Sequence, residues 1–152
     1  MSRKKPDFHD ADLTLKLYEL RREAVMRQSR DAINRDFWPS SYQDVEALAD
    51  SKHPLNPAFR QVASYWEMVY GMAKHGIAHP DYLIENNAEG LVLYVKIEPY
   101  LEQFRREYIP GAFQNTEWIT QNTEAGKAAL ERIRGRVNKM RERRVRGAAV
   151  KV

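Results

Sequence analysis

Two histidines four residues apart, His75 and His79, with Asp81 beside them and Glu67 two turns upstream, are the side chains whose types could bind a metal or carry acid–base hydrolysis. Such a pair suits zinc when both rings lie on one helical face. Here Gly76 and Pro80 stand at the pair, and a glycine C-cap followed by a proline at a first helical position puts the two rings on either side of a helix end. The spacing then loses its meaning: His75 reads as a group facing the helix dipole and His79 as a cap. The acidic stretch Phe8-His9-Asp10-Ala11-Asp12 offers a His-Asp pair of the kind metal-dependent phosphohydrolases carry on helices. Those sites need further histidines and an aspartate from other helices, so a cluster of acids at a helix start is the simpler reading. There is no Gly-x-Ser-x-Gly elbow, and the dispersed glycines form no phosphate loop. The residues name no catalytic group, no metal ligand and no cofactor.

Charge offers a second chemistry. Residues 132 to 152 hold nine Lys or Arg against the single Glu142, a net of +8, while the other 131 residues carry 16 basic and 20 acidic side chains, a net of −4. Arg132, Arg134, Arg136, Lys139, Arg141, Arg143, Arg144 and Arg146 are therefore candidate contacts for a polyanion, each neutralised phosphate releasing counterions. No aromatic residue follows Glu124, so nothing there stacks on bases, and no groove-reading motif is present. The expectation is weak, nonspecific, salt-dependent nucleic-acid binding, favoured further if Arg21, Arg22, Arg27 and Arg30 extend the basic face.

The elements that must position these groups follow from capping and periodicity. Residues 1–11 read as a polar arm, and Asp12 as the N-cap of a helix with Leu13, Leu17, Leu20 and Ala24 on one face, its first half packing better than its second. Trp38-Pro39 ends it, and Ser41 with Asp44 resembles a capping box for a short helix. Asn56 and Pro57 open a helix from 57 to 75 that is apolar over most of its circumference and must be enclosed by neighbours. Gly76 closes it, with Ile77 as the apolar partner.

Pro80 starts a helix to about 87, and from Glu89 another runs toward Tyr108, kinked or split at Pro99. One or two turns follow over Thr116–Thr120, and Thr123 caps a long last helix. Its Leu130, Ile133, Val137 and Met140 form a narrow seam that needs one partner surface, either the first helix or an antiparallel second copy, with the first helix preferred. Glu67, in a narrow polar arc, is expected to pair with Arg105 or Arg106. The tyrosines at 65, 70, 94, 100 and 108, with Trp66, read as packed core with hydroxyls at the rim.

The fold class is thus all-α: an irregular single-domain bundle of about five or six helices around the central helix 57–75, with a helical domain over 12–140 and a basic tail over 141–152. The 152 residues suffice for a core without staples. Absence of cysteine excludes disulfides and thiolate chemistry. The start shows no apolar signal segment, and the apolar run Leu91–Val95 ends at Lys96, far short of a membrane span. A cytoplasmic protein without membrane contact is expected.

The stretch from Phe59 to Arg106 resembles a bacterial family of helical proteins known only as a domain of unknown function. Tyr65-Trp66-Glu67, Gly76-Ile77 with Pro80-Asp81-Tyr82-Leu83, Tyr94, and Ile97-Glu98-Pro99-Tyr100-Leu101 leading to Arg105 carry the likeness. It implies an all-α fold and no activity; the N-terminal membrane helix that some relatives in such families carry has no counterpart here. The leading reading is a non-enzymatic helical interaction module with a protein partner or as a homodimer. Polyanion binding through the last helix is second, and a helical enzyme with a site near Glu67, His75 and His79 is third.

Overall fold

A computed structural model describes residues 5–151. The chain is all-helical, and the divisions are finer than the five or six helices expected. Helix α1 spans Phe8–Arg21, capped by Asp7 rather than Asp12: the Asp7 carboxylate accepts from the His9 and Asp10 amides, and Asp10 reaches back to the Asp7 amide at 2.8 Å. The chain then bends at Arg22-Glu23, where the Glu23 carboxylate caps α2 (Ala24–Asp36) through the Val25 and Met26 amides. This elbow reverses the expected packing order. It turns Met26, Ser29 and Ile33 inward, whereas Leu20 remains 44% exposed.

After α3 (Tyr42–Leu48), the buried Asn56 side chain donates to the Leu48 carbonyl at 2.6 Å and so closes α3 rather than capping the next helix. That helix, α4 (Asn56–Lys74), is packed on α2 on one side and α8 on the other, which gives it the enclosed position its sequence requires. It ends as Gly76 takes a left-handed φ of 72°, with the Ile77 amide donating to Met72. Ile77 itself is 63% exposed, so most of its side chain lies outside the core.

Helix α5 (Pro80–Asn86) and a 3-10 turn over Ala88–Gly90 lead into α6 (Leu91–Ile97). Pro99 splits the expected fifth helix outright: a 3-10 turn at Glu98–Tyr100 separates α6 from α7 (Leu101–Glu107). Helix α8 (Gln114–Asn122) is longer than one or two turns, and α9 (Glu124–Val150) begins where Thr123 Oγ1 accepts from the Gly126 amide at 2.9 Å. The basic segment from 141 continues this helix.

One hydrophobic cluster joins these elements, from Leu17 on α1 to Val137 on α9. At its centre Trp66 stacks on Tyr70 and meets Tyr65 edge-on, while the Tyr65 and Tyr70 hydroxyls donate to the Leu17 and Asn87 carbonyls, both at 2.7 Å. Buried phenols are thereby satisfied. Gly90 is needed for this approach, because a Cβ there would lie 2.5 Å from the Tyr70 hydroxyl.

Candidate functional site: the cationic face of α9

Helix α9 presents two different faces because its residue pattern has two rows. Gly126, Ala129, Ile133 and Val137 are buried, with Leu130 and Met140 partly so. This row fills a groove made by α5, α6 and α8. The expected partner, α1, packs instead on α2 and α5, because the elbow at residue 22 carries it to that side. With Val137 at 0% exposure within one chain, the centre of the seam faces its own fold rather than a second copy.

The eight candidate cations of this helix sort by height above that groove. Arg134 lies beside the buried row and forms an ion pair with Glu98, its Nε 3.1 Å from Oε2. Arg141 is half-buried and donates to the Asn138 side chain at 3.3 Å. Arg144 reaches the Arg35 carbonyl at 3.2 Å and stands over the Trp38 ring at 5.1 Å. The remaining cations, Arg132, Arg136, Lys139, Arg143 and Arg146, are all exposed and carry no ion pair among the described residues. Their alternating spacing of four and three residues aligns them as one row, about 21 Å long at 1.5 Å rise per residue. The cations of α1 and α2 do not simply extend it: Arg21 and Arg30 both converge on Glu89, at 3.8 and 2.7 Å.

Beneath the distal part of α9 lies a group that sequence reasoning missed. Lys96 is 0% exposed, with Nζ 3.2 Å from the Ile33 carbonyl and 3.9 Å from the centre of the Trp38 ring. The last turn of α2 thus has three carbonyls taken by side chains: Ile33 by Lys96, Asn34 by the Trp38 indole, and Arg35 by Arg144. Cations at a helix C-terminus and over an indole face are favourable. Burial nevertheless wins, and with Arg144 and Arg141 adding repulsion it brings the Lys96 pKa down to about 7. A lone cation ending an apolar run was the one signal in the sequence; its neighbours come from other helices.

The expected pair of Glu67 with Arg105 does not form. One Glu67 oxygen accepts from the Asn115 amide at 3.0 Å and the other from the Thr116 amide and hydroxyl at 2.9 and 2.6 Å. Helix α8 begins after Phe113, whose φ of 57° and apolar side chain provide no cap, so Glu67 supplies one from across the α4–α8 contact. Its charge is compensated by helix amides, and no arginine is needed. Arg105 instead bonds to the Ala112 carbonyl and pairs with Glu117 at 2.6 Å, tying α7 to α8.

His75, His79 and Asp81 line a common cavity of about 500 Å³ with Trp118, while Glu67 is absent from its lining. His79 does cap α5, Nδ1 accepting from the Tyr82 amide at 3.3 Å. Among the described residues no group of three His, Asp or Glu side chains is placed to hold a metal ion. No helix among them is long and apolar enough to cross a membrane.

An all-helical fold built on an enclosed central helix is the class of protein seen here. The chain belongs to the family described as a domain of unknown function, DUF4760, whose model matches residues 6–123. That match covers the region of the resemblance and ends at the Thr123 cap, so the cationic row of α9 lies beyond it. No curated protein and no solved structure matches the chain.

Proposed function

We propose that the chain is a non-enzymatic module that binds the phosphate backbone of nucleic acid through the exposed face of α9. The observation that carries this is the row Arg132, Arg136, Lys139, Arg143 and Arg146, without an ion pair among the described residues, on a helix whose opposite side is buried from Gly126 to Val137. A rigid row of cations loses little conformational freedom on meeting a line of phosphates, and without aromatic platforms it reads no sequence. Glu67 is committed to capping α8, which removes the acid that an enzyme reading near His75 and His79 relied on. A protein partner is the second reading, favoured by Phe8, Leu15 and Tyr18, exposed apolar side chains that share one face of α1.

The test is fluorescence anisotropy with labelled duplex DNA and RNA. Five neutralised phosphates give a slope of log K against log salt near about −4.5 on duplex DNA, so affinity falls roughly 500-fold for a fourfold rise in salt. Replacing Arg132, Arg136, Lys139 and Arg143 together by Gln is expected to flatten that slope to about −1. Affinity that ignores salt, or survives the fourfold replacement, refutes the proposal.

A further inference from the structure

The cavity at the far end of α9 is independent of the cationic row. It opens where the last turn of α4, the start of α5 and the α8–α9 junction meet, and Arg132 lies about 13 Å further along the helix axis from Thr123. At about 500 Å³ it has the size of a small-molecule site.

Its polar groups are unequally occupied. Asp81 and Thr123 face the first turn of α9: Asp81 Oδ1 takes the Ala125 amide at 3.2 Å, and Thr123 Oγ1 takes the Gly126 amide. The Asn122 amide group is also engaged, donating to the Trp118 carbonyl at 2.9 Å. Three nitrogen groups line the same cavity. Lys74 is half-buried and has no ion pair among the described residues, and His75 is exposed beside it. His79 accepts an amide proton at Nδ1, which places its own proton on Nε2 and makes that atom a donor. Beside these donors, Trp118 and Pro80 supply apolar surface to the wall.

We propose that this cavity binds a small aromatic acid, with its carboxylate or phosphate on Lys74, His75 and His79 and its ring against Trp118. Donors beside apolar surface select an anion that carries a planar apolar body, and reject one that is wholly hydrated. The site shares no side chain with the α9 row, so it stands or falls separately from nucleic-acid binding.

The experiment titrates the full chain with phenyl phosphate, benzoate, inorganic phosphate and phenol, following backbone amides and indole N–H groups by two-dimensional NMR. Saturable shifts confined to residues 73–81 and 118–123 are expected with phenyl phosphate or benzoate, at an affinity at least about fivefold above inorganic phosphate and phenol. Lys74→Gln is expected to weaken the better ligand at least about fivefold. His79→Asn is the second variant, since Asn keeps an acceptor for the α5 cap while removing Nε2. The proposal is overturned if neither acid saturates, if the shifts fall on Arg132–Arg146 instead, if phenol binds as well as the acids, or if both variants fold and bind like the wild type.

Discussion

Replacing Lys96 by Met keeps most of the length and volume of the side chain and removes the buried ammonium. Lowering a lysine from 10.5 to about 7 corresponds to a charge penalty with a ceiling of about 5 kcal/mol. The sign follows from proton counting. Between about pH 7 and 10.5 the unfolded chain holds the Lys96 proton and the folded chain does not, so stability rises with pH at about 1.4 kcal/mol per unit. Below about pH 7 both states are charged and the full penalty is constant. Lys96→Met is therefore expected to be more stable than the wild type by about 2 to 5 kcal/mol near pH 6, the lower figure allowing for a flexible stem that moves the charge toward solvent. The Ile33 carbonyl is not orphaned in the variant, since it also accepts from the Phe37 amide at 3.1 Å. The advantage shrinks by about 2 kcal/mol near pH 8.5, or roughly 4–8 °C in melting temperature for a chain of this size. Urea unfolding followed by helical circular dichroism at both pH values measures the gap, and groups that titrate in both proteins cancel in the difference. A gap that stays constant, or a variant less stable near pH 6, refutes the reasoning.

Glu67→Ala strips the cap from α8 and leaves the Asn115 and Thr116 amides without their acceptor; a loss of about 2–3 kcal/mol in chemical unfolding is expected, with Glu67→Gln recovering part of it. Gly90→Ala drives a methyl into Tyr70 and Trp66 and is expected to cost more than about 2 kcal/mol, whereas Gly135→Ala, with nothing within 4 Å, should raise thermal stability by about 0.5–1 kcal/mol through helix propensity alone. Val137→Asp buries a charge in the groove between α9 and the body, so its melting temperature should fall equally at low and high protein concentration; a fall only at low concentration would point to an intermolecular seam.

Local chemistry determined much of the framework. The Pro99 break, the Gly76 stop, the Thr123 cap and the enclosed stripe of α4 were legible because each depends on residues within about one helical turn, where capping, proline geometry and periodicity act. The elbow at Arg22-Glu23 was not, although Glu23 is a local cap: the apolar rows of α1 and α2 nearly continue each other, and only the pull of α4 on Met26 and Ile33 makes the bend worthwhile. Tertiary structure alone decided where the charges went. Glu67 meets its amides 48 and 49 residues away, Arg134 its acid 36 away, Lys96 its carbonyl 63 away and Arg144 its carbonyl 109 away. Composition gave the last helix its charge, but the depth at which α9 sits in its groove separates cations spent inside the fold from those left for a partner. A charged side chain takes whatever compensates it at lowest cost of desolvation, and across such separations that is fixed by how helices pack, not by which residues are neighbours in sequence.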